Sequence, residues 1–194
     1  MQHAPTRMKT VIAYIGIGSN MGDKLQMMQQ AVQQMVAPDL TLLQASSLYE
    51  TAPVDYLDQD LFYNAVLEIQ TRFPPQDLIK HCQKIEQALG KNIKISKGPR
   101  TIDLDLLFYS DYVMDSPDLT VPHPGALKRG FVLSPMAEIA PDYIPPNDHR
   151  TIREIADQIS DSERVQKKMG SEWANHPKAI LPSDRSDFNS GNRL

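Results

Sequence analysis

The run Thr101-Ile102-Asp103-Leu104-Asp105-Leu106-Leu107 alternates acidic with apolar residues. On an extended strand, successive side chains point to opposite faces. Ile102, Leu104 and Leu106 therefore point into a core while Asp103 and Asp105 share the other face. The two carboxylates then lie roughly 6.5–7 Å apart along the backbone, at about 3.3 Å per residue. On a rigid buried strand they repel one another unless a cation sits between them. Hard oxygen ligands favour Mg²⁺, which keeps several waters and shares its remaining positions with phosphate oxygens. The bland alternative is a solvated acidic face on an edge strand. The preceding segment bears on that choice, because Lys91, Lys94, Lys97 and Arg100 recur every third residue after Gly90. Four cations beside two carboxylates suit a metal-complexed polyphosphate, whose bridging and terminal oxygens gain charge during phosphoryl transfer.

The rest of the pattern supplies a sheet for that strand. Val11 to Ile17 is almost wholly apolar and predicts a central buried strand. Asp23 predicts a helix start with Gln26 at the capping-box position, and Leu25, Met28, Val32 and Met35 form its apolar stripe. Thr41 to Thr51 reads as a second strand and Leu61 to Thr71 as a third. In the third, Leu61, Tyr63, Ala65, Leu67 and Ile69 face one way, and Phe62, Asn64 and Val66 the other. Pro74-Pro75 leads into a second helix whose inner stripe is Leu78, Cys82, Ile85 and Leu89, ended by Gly90. The order strand, helix, strand, strand, helix, strand is the split βαβ arrangement of an α+β, ferredoxin-like fold: an antiparallel sheet with helices on one face. Short helices are expected at 131–139 and 151–159. Residues 1–9 carry no structural pattern, 10–159 form the domain, and the polar composition of 160–194 predicts a weakly ordered tail. Trp173 and Phe188 in that tail either dock on a neighbour or are solvated.

Composition narrows the function classes. A net charge of −4 and a pI near 5.7 argue against nucleic-acid binding by bulk charge. Cys82 is the single cysteine, so no internal disulfide calls for an oxidising compartment. The Val11–Ile17 run is shorter than the about 20 residues a membrane span needs, and no cleavage site follows it. A cytoplasmic protein without membrane or nucleic-acid partners is expected, with Met8 as an alternative start.

Phe62 and Asn64, side by side on one strand face, fit either ordinary packing or stacking and hydrogen bonding to a flat heterocycle. His123, held between Pro122 and Pro124, fits either a hydrogen-bond donor to a phosphate or a loop strut. Gly16-Ile17-Gly18-Ser19-Asn20-Met21-Gly22 lacks the Lys-Ser/Thr ending of a phosphate-binding P-loop and reads as a tight structural turn. Cys82 lies on an apolar stripe and belongs to the core.

Taken together, these segments resemble the 6-hydroxymethyl-7,8-dihydropterin pyrophosphokinases of folate biosynthesis. The matching pieces are Tyr14-Ile15-Gly16-Ile17-Gly18-Ser19-Asn20, Ser46-Ser47-Leu48-Tyr49-Glu50-Thr51, Asp58-Gln59 and Phe62-Tyr63-Asn64-Ala65-Val66. They continue with Gly98-Pro99-Arg100-Thr101-Ile102-Asp103-Leu104-Asp105, Leu119-Thr120-Val121-Pro122-His123-Pro124, Arg129-Gly130-Phe131-Val132-Leu133 and Glu138-Ile139-Ala140-Pro141. The resemblance spans about Val11 to Ile159 in family order.

It implies transfer of pyrophosphate from ATP to the pterin hydroxymethyl group, giving AMP. Two Mg²⁺ ions would sit on Asp103 and Asp105, and Arg100 would stabilise the transferred group, with Lys91 beside it. Gln83, Glu86, Lys94, Lys97, Leu106, Thr120, His123 and Arg129 would contact ATP. The pterin would stack between Phe62 and Phe131, with Asn64 reading its polar edge and Thr51, Ala52, Pro53 and Val54 lining the pocket. The 91–100 loop would close over the phosphates, and the working unit would be a monomer. Two departures fall in that loop: Gly90-Lys91 stands where the family usually has Gly-Arg, and Ser96-Lys97 where a basic residue and an aromatic precede Gly-Pro-Arg. Lysine keeps the charge but loses the planar two-pronged grip of arginine. These departures motivate the alternative of a diverged pterin- and nucleotide-binding paralogue with weak activity. An RNA-binding domain of the same fold class is the other rival, disfavoured by the acidic pair and the acidic pI.

Overall fold

The computed structural model describes residues 9–53, 57–91, 98–159 and 165–175. Strands β1 (Val11–Ser19), β2 (Leu40–Ala45), β3 (Leu48–Thr51), β4 (Phe62–Thr71), β5 (Asp103–Tyr109) and β8 (Gln166–Met169) build one sheet. Its order is β5-β1-β4-β3-β8, with β2 also paired to β4, and every pairing is antiparallel. A small hairpin, β6 (Met114–Ser116) with β7 (Leu119–Val121), stands apart. The helices are α1 (Lys24–Met35), α2 (Pro75–Ala88), α3 (Gly130–Ile139) and α4 (Ile152–Ala156). Among the described residues no helix is long and apolar enough to cross a membrane.

Alternation along the strands divides the core in two. Ile15, Ile17, Leu67, Ile69, Leu104 and Leu106 point to one face, where Met28, Val32 and Met35 of α1 and Leu78, Cys82 and Ile85 of α2 cover them. This is the expected split βαβ layer, and the predicted helical stripes are the buried ones. α1 begins where expected, with the Asp23 carboxylate accepting from the Gln26 amide at 3.0 Å. On the opposite face, Tyr14, Val66, Leu107 and Phe108 meet Val132, Leu133 and Met136 of α3 and Ile152 and Ile155 of α4. A register shift between Tyr14 and Ile15 leaves Leu107 as an extra residue in β5, so Leu107 and Phe108 both join this second core. The uncovered remainder of that face, beside Asp103 and Asp105, holds the cavity.

Two features differ from the sequence expectations. The strand expected over Thr41–Thr51 is interrupted at Ser46-Ser47, both buried. There the Ser46 hydroxyl oxygen accepts from the Val66 amide at 3.0 Å, and the Ser46 amide donates to the Val66 carbonyl at 2.8 Å. The side chain thus replaces a ladder partner and the strand divides in two.

The tail expected to be weakly ordered from residue 160 contains an ordered strap over 165–175. β8 pairs with β3, and a 3₁₀ turn at Ser171–Ala174 carries Trp173, which is 1% exposed. Its indole N–H donates to the Ser46 carbonyl at 2.8 Å, and Gln29 donates to the Trp173 carbonyl at 3.0 Å. A buried aromatic with a satisfied polar atom outweighs the polar composition of its neighbours. Phe188 lies outside the described residues.

Candidate active site

The Asp103 and Asp105 carboxylates share the face of β5 that lines a cavity of about 260 Å³. Gly16 and Gly18 of β1 form its floor. Phe62 and Asn64 of β4, with Thr51, Ala52 and Pro53 after β3, form one end. Arg100, His123, Arg129 and Phe131 complete the wall. The aromatic-and-amide face and the acidic pair, read separately from sequence, open onto one space. Each ring carries a guanidinium: Arg100 lies 5.3 Å from the Phe62 centroid and Arg129 5.6 Å from that of Phe131.

Asn64 is held by the chain's own groups. Its amide donates to the Thr51 hydroxyl at 2.8 Å. Directly behind it, a Cβ on Gly18 would lie 2.6 Å from Asn64 Oδ1. Gly18 is therefore what allows this rotamer.

At the polar end, Arg100 Nη1 donates to Asp103 Oδ2 at 2.8 Å and Lys91 Nζ donates to Asp103 Oδ1 at 2.7 Å. Burial and the neighbouring Asp103 push the Asp105 carboxyl above its ordinary pKa, opposed by His123, Lys91 and Arg100. Burial pushes His123 below its ordinary value, against the pull of Asp105. Its Nδ1 accepts from the Gly125 amide at 3.1 Å, so the neutral ring carries its proton on Nε2.

The other residues singled out in the sequence divide between the surroundings of this cavity, the core or surface away from it, and positions outside the described residues. Lys91 reaches it through Asp103. Glu86 is buried behind it, accepting from Lys91 Nζ and the Leu104 amide, each at 2.7 Å. Gln83 is exposed on α2. Leu106, expected at the nucleotide, places its side chain in the main core and does not line the cavity. The alternation that aims Asp103 and Asp105 at the cavity requires this. Thr120 donates to Asp115 at 2.9 Å on the hairpin and is also absent from the wall. Val54, Lys94 and Lys97 lie outside the described residues.

Sequence reasoning left Asn20, Gln59 and Glu138 without roles. Asn20, 2% exposed, donates to Gln59 Oε1 at 3.0 Å and to the Asp60 carbonyl at 3.2 Å. Its Oδ1 accepts from the Arg100 amide at 2.8 Å. It thereby ties the loop before β4 to the loop before β5. Glu138 accepts from the Ser47 amide and hydroxyl and from Tyr49, at 3.0, 2.6 and 2.9 Å, joining α3 to the strand break. The available signal for the first was its place at the end of the Tyr14-to-Asn20 segment of the family resemblance, in which Gly16 to Ser19, read as a turn, belong to β1.

The family model described as 7,8-dihydro-6-hydroxymethylpterin-pyrophosphokinase (HPPK) matches residues 14–141. The chain belongs to this family. A pyrophosphokinase of Methylorubrum extorquens, named for 2-amino-4-hydroxy-6-hydroxymethyldihydropteridine, is 40% identical over 157 residues, covering 79% of this chain and 98% of that one. Its Bacillus subtilis namesake is 44% identical over 131 residues, covering 66% and 77%. The Schizosaccharomyces pombe folic acid synthesis protein fol1 is 43% identical over 152 residues, which are 78% of this chain and 21% of that protein. This HPPK chain thus spans about a fifth of the length of such fungal relatives. Among solved structures, wild-type Plasmodium falciparum HPPK-DHPS with pterin and p-hydroxybenzoate shares the fold. Its TM-score is 0.63 at 16% identity, covering 80% of this chain and 42% of that one.

Proposed function

We propose that this HPPK chain transfers the pyrophosphoryl group of ATP to the hydroxymethyl oxygen of 6-hydroxymethyl-7,8-dihydropterin, releasing AMP. One observation carries the reading: a single cavity joins an aromatic end built for a flat heterocycle to an end lined by two carboxylates and two arginines. Phe62 and Phe131 stack the pterin and Asn64 reads its polar edge, with Thr51, Ala52 and Pro53 closing that end. Arg100, Arg129, Lys91 and the Nε2–H of His123 present positive charge and donors to the polyphosphate. Phosphoryl transfer needs little covalent help, so positioning and charge stabilisation are this chain's work.

The donor set fits Mg²⁺. Among the described residues no third histidine, thiol or carboxylate joins the two aspartates as a metal ligand. Phosphate oxygens and water would therefore supply the remaining positions, as Mg²⁺ prefers. The strained ionisation of Asp105 beside Asp103 is the electrostatic demand that a cation relieves. Asp103 and Asp105 would hold two Mg²⁺ ions, whose charge would offset that of the phosphate oxygens. A monomer in the cytoplasm, as expected from the sequence, is the working unit of this reading.

The test follows AMP release from ATP, Mg²⁺ and the pterin in a coupled assay. Asp103→Ala and Asp105→Ala should each abolish turnover while leaving the chain folded. Near-normal AMP formation by either variant removes the metal assignment. Absence of AMP from the wild-type chain removes the activity.

A further inference from the structure

Both oxygens of Asp103 are occupied by the chain's own cations, Lys91 on Oδ1 and Arg100 on Oδ2. The two differ in how they are fixed. Lys91 has a second, buried anion: Glu86 Oε1 lies 2.7 Å from Nζ, and the Glu86 carboxylate is anchored by the Leu104 amide at 2.7 Å. The backbone adds to this, since the Lys91 amide donates to the Glu86 carbonyl at 2.9 Å, just past Gly90 at φ +78°. Helix α2 thus ends by delivering a lysine ammonium onto Asp103, and Glu86 holds it from behind. Only 14% of the Lys91 side chain and 8% of that of Glu86 is exposed, so the pair forms in a partly desolvated setting where charge–charge contacts weigh more.

We propose that Lys91 is an internal counter-ion that closes the divalent-cation site of the nucleotide-free chain, so that the metal enters only together with a polyphosphate. The proposal rests on the reading of Asp103 and Asp105 as metal ligands. A divalent ion approaching Asp103 alone must displace an ammonium already bonded there and meets its repulsion. When a nucleoside polyphosphate arrives with the metal, its oxygens take up the displaced ammonium. Lys91 then exchanges one anion for another while Glu86 retains it. Metal and nucleotide are therefore thermodynamically linked, each raising the affinity of the other by the same factor. Glu86 acts through Lys91 as a positioning residue.

The probe is Mn²⁺, followed by electron paramagnetic resonance of the free ion, on the full chain with and without a non-hydrolysable ATP analogue, each reading referred to the same analogue and Mn²⁺ without protein. Wild type should bind Mn²⁺ weakly alone and much more tightly with the analogue. Lys91→Gln should bind Mn²⁺ about tenfold more tightly without nucleotide, because one repelling charge at contact distance is gone. The enhancement by the analogue should shrink by a similar factor. Lys91→Gln/Glu86→Gln removes the buried carboxylate left unpaired by the single change and should bind Mn²⁺ alone as the single variant does. Asp105→Asn should weaken Mn²⁺ binding under both conditions.

Unchanged nucleotide-free Mn²⁺ affinity in both Lys91 variants, with the analogue still bound, overturns the counter-ion role and leaves the proposed activity standing. Equal Mn²⁺ affinity of wild type with and without the analogue overturns that role in the same way. Failure of wild type to bind Mn²⁺ in either condition overturns both readings.

Discussion

Asn20→Ala should loosen the cavity from a distance. The side chain makes three hydrogen bonds, two donated to Gln59 and Asp60 and one accepted from the Arg100 amide. Intramolecular hydrogen bonds contribute about 1 kcal/mol each. Losing three therefore costs about 3 kcal/mol, and the Arg100 amide and Asp60 carbonyl lose their partner. For a chain of this size each kcal/mol moves the thermal midpoint by about 2–4 °C, so a fall of about 6–12 °C is expected. The accepted bond fixes the backbone of Arg100, whose guanidinium lines the cavity; in its proposed role at the transferred group, a misplacement of about 1 Å costs about 100-fold in rate. Urea unfolding gives the stability change, and AMP formation under conditions where the variant is folded gives kcat/KM. Asn20→Asp keeps the acceptor for Arg100 but loses the donors, so its effects should fall between those of wild type and Asn20→Ala. If Asn20→Ala unfolds within about 0.5 kcal/mol of wild type with unchanged kcat/KM, the bonds do not tie the two loops together.

Gly18→Ala should raise the pterin KM and leave the ATP KM nearly unchanged, because the new Cβ would lie 2.6 Å from Asn64 Oδ1 and turn that amide away; steady-state kinetics with each substrate varied reads the split. Trp173→Ala should destabilise the chain by about 3–5 kcal/mol, since it empties a site that is 1% exposed and breaks the bond to Ser46; chemical denaturation measures it. Glu138 should contribute to acid sensitivity. Burial raises its pKa, but the bonds from Ser47 and Tyr49 and the charge of Lys167 outweigh this, and the folded value lies below the ordinary one. A depressed carboxylate stabilises the fold above its unfolded pKa of about 4.3 and loses that contribution as pH falls through the folded value. Glu138→Gln should therefore be less stable than wild type at neutral pH and should flatten the acid limb of stability against pH, read by denaturation at a series of pH values.

The local elements were legible because they depend on local periodicity. Alternation in 102–107 gave β5 one apolar and one acidic face, and the stripes Met28, Val32, Met35 and Leu78, Cys82, Ile85 became the buried sides of α1 and α2. The same reasoning placed Phe62 and Asn64 on one face of β4, and the motif resemblance marked most of the cavity wall. What escaped depends on partners far apart along the chain. Trp173 meets Ser46 across 127 positions, Asn20 meets Arg100 across 80, and Ser47 meets Glu138 across 91. No window of composition contains both members of such a pair, so the strap at 165–175 read as polar tail and Asn20 as part of a turn. The sequence by itself determined which residues lie extended or helical and which faces are apolar, because side-chain geometry repeats every two or every 3.6 residues. Only the tertiary structure decided that Lys91 rests between Glu86 and Asp103 and that two loops are tied through one asparagine, because those contacts exist only once the sheet has brought its strand ends together.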